Sequence, residues 1–159
     1  MDKNNIKTNV MRILDQKKIK YNSYFYDVQE AVSGDVVAKM INKDLNQVFK
    51  TLVTVSGNNK YYVFVVPVNK ELNLKKAAIA VNEKSIQMIK SKDLLPLTGY
   101  VHGGCSPIGM KKFFRTTIHN SAKEQESIIF SAGKIGYQVE LSLSELSKII
   151  KFDLKDIAE

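Results

Sequence analysis

Cysteine is nearly absent from this 159-residue chain, which carries only Cys105. That excludes an intrachain disulfide framework and any zinc site built from several thiolates. Two isolated histidines, His102 and His119, add little metal-ligating capacity, so neither a metal nor a cofactor is expected. Long apolar runs are missing as well. No stretch approaches the roughly 20 residues that cross a bilayer, and the opening Met-Asp-Lys-Asn-Asn has no apolar signal region. A cytoplasmic protein without membrane contact is therefore expected. Linkers, internal repeats and low-complexity tracts are also lacking, so residues 1–159 are expected to form one domain, which at this length buries roughly 70% of its potential surface.

Acidic charge is in short supply. Sixteen Asp+Glu stand against twenty-four Lys+Arg, a net charge of +8, and such a balance attracts polyanions. The competing reading is a lysine-rich solvated surface, because the lysines are scattered and no basic tail or aromatic-basic repeat is present. One compact cluster stands out, Lys111-Lys112 with Arg115. It follows closely on a glycine-rich segment, which favours phosphate contacts near a site.

Periodicity gives alternating helices and strands. Ile6, Val10, Ile13 and Leu14 recur at helical spacing and predict an amphipathic helix near residues 5–18. Tyr21 to Tyr26 reads as a strand. Ser33 can cap a helix carrying Val36, Val37, Met40 and Ile41, which Asn42-Lys43-Asp44 would end. Val48 to Val55 and Tyr61 to Pro67 form a hairpin pattern around the turn residues Ser56-Gly-Asn-Asn59. Asn73 can cap a helix through Ala80, and Ser91 a short one through Leu95. Strand patterns follow at residues 116–119, 128–131 and 137–141. Ser142-Leu-Ser-Glu145 matches a capping box opening a helix striped by Leu143, Leu146, Ile149 and Ile150. About six strands, some in hairpins and some separated by crossovers, indicate an α/β (α+β) fold with a mixed sheet.

Three segments carry chemistry. The first is Val48-Phe-Lys-Thr-Leu-Val53, where Lys50 interrupts an apolar strand. Alternation puts Lys50 on one face with Val48 and Leu52, and Phe49, Thr51 and Val53 on the other. An ammonium in apolar surroundings is worth more to a developing anion; the alternative is a lysine that snorkels to water. The second is Thr98 to Gly109, with four glycines and Pro107 in twelve residues. Gly103 and Gly104 can present consecutive N–H groups to an ester oxygen, or can serve only a tight turn. The third is Ser131-Ala-Gly-Lys-Ile-Gly136, a second glycine turn. His102 and Cys105 invite a nucleophilic reading, but three residues apart on an extended segment they tend to opposite faces, and no Asp or Asn nearby orients the histidine. His119 reads as a strand residue without catalytic duty.

Together these segments resemble the YbaK/EbsC family of aminoacyl-tRNA deacylases, over about residues 10–157. The resemblance implies a mixed, barrel-like sheet flanked by helices. Phe49-Lys-Thr-Leu52 is similar to the family's aromatic-Lys-Thr-Leu motif, which implies a catalytic Lys50 with Thr51 beside the substrate. Gly103-Gly-Cys-Ser-Pro-Ile-Gly109 resembles its Gly-Gly-x-x-Pro-x-Gly loop, which lines the aminoacyl pocket and implies roles for Gly103 and Gly104; that motif requires neither cysteine nor histidine. Ser131, Gly133 and Lys134 resemble its Ser-Gly-Gly-Lys turn, with Ala132 in place of the first glycine, and Ser131 and Gly133 are expected at the substrate. Tyr24, with Tyr26, matches an aromatic-rich first strand that can wall the pocket. Gln138 departs from the pattern, standing where close relatives usually place an aspartate. The activity implied is hydrolysis of mischarged aminoacyl-tRNA, foremost Cys-tRNA(Pro). The partners implied are proline tRNA, held in part by Lys111, Lys112 and Arg115, and transiently prolyl-tRNA synthetase. Two alternatives stand beside it: a deacylase for alanyl or another small aminoacyl group that uses water, and a non-catalytic module that holds tRNA or a synthetase.

Overall fold

The computed structural model describes residues 6–159. The first five, including the segment without a signal pattern and the first position of the expected leading helix, lie outside the described residues. That helix, α1 (Asn9–Gln16), is shorter than its periodicity suggests. Thr8 caps it by accepting from the Met11 N–H, and Lys18 leaves it at φ 56°, a backbone angle that ends right-handed helix. Its apolar stripe, Val10, Met11 and Leu14, is buried.

The remaining elements follow as β1 (Asn22–Phe25), α2 (Gly34–Met40), β2 (Phe49–Ser56), β3 (Tyr61–Pro67), α3 (Leu74–Ala80), β4 (Ile86–Met88), α4 (Ser91–Thr98), β5 (Arg115–His119), β6 (Ile128–Ser131), β7 (Tyr137–Leu141), α5 (Leu143–Leu146) and β8 (Asp153–Lys155). Asn73 and Ser142 cap α3 and α5 through their side chains. Ser33 precedes α2 but makes no side-chain capping bond. Helix α4 runs three residues beyond Leu95, with Pro96 inside it, and stops at Gly99 in the left-handed region. Helix α5 ends at Leu146, well short of Ile150.

The strands form two sheets, one ordered β4-β2-β3-β5-β8 and one ordered β1-β7-β6. Strands β2 and β3 are the expected hairpin, antiparallel with Lys50 opposite Val66, and β4 adds to the outer edge of β2. Strands β3, β5 and β8 run parallel to one another, which makes the sheet mixed. A parallel bridge between Val48 and Ile129 joins the two sheets, giving the barrel-like closure.

The largest apolar cluster lies between the sheets and includes Val10, Leu14, Phe49, Val53, Ile118 and Phe130. A second cluster, around Phe64, Ala77 and Ile157, packs α3 and the C-terminal segment on the other face of the larger sheet. Fully buried side chains such as Phe64 and Phe130 each contribute roughly 1.5–3 kcal/mol by leaving water.

One buried charge reinforces the junction. Glu140 on β7 accepts from the Gln47 amide at 2.8 Å and from the hydroxyls of Tyr24 and Ser127, with the Lys43 ammonium 3.9 Å away. Burial alone raises the Glu140 pKa, but the Ser127 and Tyr24 hydroxyls, Lys43 and the Gln47 amide outweigh it, and the carboxyl titrates below its ordinary value. A depressed folded-state pKa contributes stability above the unfolded-state value, and that stability is lost as pH falls through the folded-state value. Glu140→Ala should therefore destabilise the protein by about 2–3 kcal/mol at neutral pH. Denaturant unfolding checks this, and the gap between the two proteins should narrow in acid, below the ordinary carboxylate range.

Candidate active site

A cavity of about 320 Å³ opens where β2, the glycine-rich loop and the segment between β1 and α2 converge. Strand alternation sets its first wall. Phe49 and Val53 point into the main cluster and Leu52 packs against the second, and the start of β2 from Phe49 to Leu52 borders the cavity, with the Lys50 side chain 28% exposed. Its ammonium stands 3.4 Å from Glu71, a carboxylate that is itself mostly in water. Exposed pairs of this kind contribute little, about 0–1 kcal/mol, so Lys50 can exchange this partner for another anion. Thr51 also lines the cavity, and its hydroxyl is buried with no hydrogen-bond partner among the described residues.

The glycine loop supplies the opposite wall through His102, Gly103 and Cys105. Gly103 sits at φ +86°, and a Cβ there would stand 2.5 Å from that of Ala31. Only glycine fits both the backbone angle and the close approach. No group among the described residues accepts from its N–H. Gly104 differs from the expectation of a paired donor: it is buried, and its N–H donates to the Val101 carbonyl at 2.9 Å. The Gly104 donor is therefore committed within the loop, whereas Gly103 lines the cavity.

Cys105 borders the cavity but is 8% exposed. Burial pushes its thiol up to about 12, against a smaller opposing contribution from a hydrogen bond with Thr98. At neutral pH it is a thiol and not a thiolate, which removes its nucleophilicity. His119 lies away from the cavity, kept neutral by burial, and its Nδ1 accepts from the Ile157 N–H at 3.2 Å. Its work is to hold the C-terminal segment.

The other expected residues separate. Ser131 reaches the cavity, its hydroxyl accepting from the Gly133 N–H at 3.2 Å. Gly133 does not line it; at φ +92°, it makes room for Tyr100 and Val10, each 3.0 Å from where a Cβ would stand. Tyr24 turns away to Glu140. Tyr26, the other tyrosine of that segment, is at the cavity instead, its hydroxyl accepting from the Gln138 amide at 3.2 Å. Gln138 thus lies on the cavity wall, 5% exposed and uncharged. Ser33, Gly34 and Val37, around the start of α2, complete the enclosure. Their contribution was missed in the sequence, where only the Ser33-Gly34 pair hinted at a close approach; a Cβ on Gly34 would stand 2.3 Å from Val68 Cγ1.

The basic cluster is not beside the cavity. Arg115 faces Tyr62 across β3, whereas Lys50 faces Val66. Four residues along the strand and two strands across place them about 16 Å apart. Arg115 also pairs with Asp153 at 3.3 Å, and the Lys111 stem lies along Gly99.

Comparison with solved structures identifies the architecture. A structure described as a trans-editing enzyme for prolyl tRNA synthetase superposes with a TM-score of 0.81 at 18% identity, covering 97% of this chain and 99% of that one. The hypothetical protein APE2540 gives 0.85 at 17% identity, covering 96% and 100%. At such identities the likeness is one of fold. The sequence itself goes further: residues 29–149 match the family model of the aminoacyl-tRNA editing domain, and the chain belongs to that family. A curated relative from Enterococcus faecalis, named as the Cys-tRNA(Pro)/Cys-tRNA(Cys) deacylase EbsC, is 45% identical over 137 residues, or 86% of this chain and 84% of that protein.

The two glycines of the loop should respond differently to a methyl group. Gly103→Ala meets both a positive φ and a backed-up Cβ, whereas an alanine at Gly104 would make only contacts of 3.4 Å and longer. Thermal unfolding should show a loss of about 1–3 kcal/mol for Gly103→Ala, and a clearly smaller one for Gly104→Ala.

Proposed function

We propose that this chain is a trans-editing hydrolase that deacylates mischarged tRNA, with Cys-tRNA(Pro) as its principal substrate. The observation that carries the reading is the pairing, across one small cavity, of a lysine free to change partners with the Gly103 N–H, beside a cysteine too buried to attack. The name of the Enterococcus faecalis relative supports the substrate class. Editing of this kind is needed because cysteine and proline are close in size. A pocket separates groups differing by a methylene by only about 1–3 kcal/mol, so a second sieve must clear the error.

The cavity offers orientation and charge, and the substrate brings its own nucleophile. With the ester carbonyl held between Lys50 and Gly103, the cysteinyl thiolate attacks its own carbonyl carbon. A carbon–sulfur bond forms, the negative charge passes to the carbonyl oxygen facing those two donors, and collapse breaks the bond to the ribose oxygen. That oxygen leaves with a proton, and water then opens the cyclic thioester to free cysteine. Intramolecular attack of an oriented group can reach effective molarities of about 10⁵–10⁸ M, and stabilisation of the oxyanion adds to this. The buried Thr51 hydroxyl and the Ser131 hydroxyl are suited to the aminoacyl group, since an unpaired buried polar atom gains most from an incoming partner. The uncharged Gln138–Tyr26 pair replaces a carboxylate on the wall. Lys111, Lys112 and Arg115 are assigned to the tRNA, beyond the aminoacyl end. A transient complex with prolyl-tRNA synthetase would deliver that tRNA to a chain that acts in trans.

The test is deacylation of Cys-tRNA(Pro), Ala-tRNA(Pro) and Cys-tRNA(Cys) side by side. Preference for the cysteinyl esters is expected; preference for the alanyl ester would put water in place of the thiol, and binding without turnover would make the chain a tRNA-holding module. Lys50→Ala should lower Cys-tRNA(Pro) hydrolysis at least about tenfold, or ~1.4 kcal/mol in the barrier, while the protein stays folded. Cys105→Ser should keep most of the activity. Near-normal turnover by folded Lys50→Ala, or an inactive but folded Cys105→Ser, would each overturn the mechanism.

A further inference from the structure

Phe113 is 72% exposed, although the residue after it is built into the protein. Phe114 packs against the main cluster and meets Tyr61 edge-on at 6.0 Å. In an extended segment neighbouring side chains point to opposite sides, so fixing Phe114 inward fixes Phe113 outward. The ring stands on a rim between two surface clefts. One, of about 680 Å³, runs past Arg115 and Lys151 to Asp153; the other, of about 170 Å³, is bordered by Lys112.

The charged side chains lining the two clefts are basic apart from Asp153. Lys111, Lys112 and Arg115 flank the ring in sequence without an acidic residue from Val101 to Ala122, and the acid that reaches the patch, Asp153, is matched by Arg115. A flat apolar face framed by ammonium and guanidinium groups complements a ligand with planar rings and phosphates. Exposed aromatics in basic grooves bind single-stranded nucleic acid in this way, each stacked base contributing enough to be read in affinity. Arg115, two residues from the ring, is also about 16 Å from Lys50 along the sheet, too far for an acyl group held in the cavity. A ligand engaging both must be an extended polyanion.

We propose that Phe113 is a stacking platform for an unpaired base of the tRNA, with Lys111, Lys112 and Arg115 holding the adjoining phosphates, at a site separate from the cavity. This rests on the reading of the chain as a tRNA deacylase and extends it to a second point of contact. It gives the aromatic ring a function that the lysines alone do not require. It also makes tRNA affinity separable from hydrolysis.

Uncharged proline tRNA, titrated onto the wild-type protein and variants at several salt concentrations, tests it. Phe113→Ala should weaken binding at least about fivefold with the salt slope unchanged, and Phe113→Trp should restore it. Lys111→Ala/Lys112→Ala should instead flatten the log–log salt slope by about 0.7–0.9 per lost phosphate contact. Binding by Phe113→Ala within twofold of wild type would overturn the proposal, as would a Trp variant no better than Ala. A wild-type dimer that Phe113→Ala dissociates would assign the ring to a second copy of the chain, and so overturn it too. If tRNA binds in a Phe113-dependent way but no aminoacyl ester is hydrolysed, the deacylase reading fails while this contact stands.

Discussion

Two backbone hydrogen bonds flanking Val48 fix the register on which the site depends. The Ile129 N–H donates to the Gln47 carbonyl at 2.9 Å, and the Val68 N–H to the Val48 carbonyl at 2.8 Å. The first ties the small sheet to the large one, and the second opens the β2–β3 ladder. Lys50 follows two residues later, and side chains alternate along a strand, so a slip of one residue would turn Lys50 into the main core and Phe49 out of it. Neither exchange is tolerable, because an unpaired buried ammonium costs far more than the strand could recover. The same junction carries Ser131 to the cavity on the far strand, two residues beyond Ile129. Glu140 sits behind it, drawing Gln47, Ser127 and Tyr24 onto one carboxylate. Polar groups thus lock a joint whose apolar residues, Val48, Ala38 and Ile129, form only a small cluster.

Much of this was legible in the sequence wherever a local rule was strong. The hairpin appeared because two β-rich runs flank a turn rich in Gly and Asn, and α3 and α5 appeared because Asn73 and Ser142 are capping residues. Strands β4 and β8 did not appear. Each is three residues long, too short for alternation to register, and each exists because a neighbouring strand offers an open edge. The ends of α1 and α5 were overestimated for a related reason. Ile6, Ile149 and Ile150 are apolar because they pack against the main cluster, not because they continue a helix.

The site was partly legible. Lys50 and Gly103, which both line the cavity, stood out because each breaks the pattern around it, a charge in an apolar strand and a glycine in a dense turn. Gly104 and Gly133 carry the same signal for structural reasons, one donating within its own loop and the other yielding space to Tyr100. A glycine reports a demand on the backbone and not who makes the demand. Tyr24 and Tyr26 share a strand face in the sequence, yet β1 ends at Phe25 and the two side chains part company. Proximity in sequence misplaced the basic cluster as well. Lys111 follows the glycine loop closely, but the intervening chain crosses to the other end of the sheet before β5 begins.

Lys50 and Cys105 illustrate opposite uses of the same cavity wall. The lysine keeps contact with water and a loosely held carboxylate, so its charge survives and remains transferable. The cysteine is shut in by Ile108, Tyr100 and their neighbours, and its proton stays on. With a pKa near 12, only about one molecule in 10⁵ carries a thiolate at neutral pH. Oxidation by peroxide and exchange with disulfides both begin from that anion. A cavity wall whose one thiol stays protonated is therefore slow to form a mixed disulfide with a sulfur compound that enters it. Lys50 and the Gly103 amide beside it carry no sulfur to oxidise, so peroxide should spare the cavity wall while it reaches the exposed Met40 and Met88.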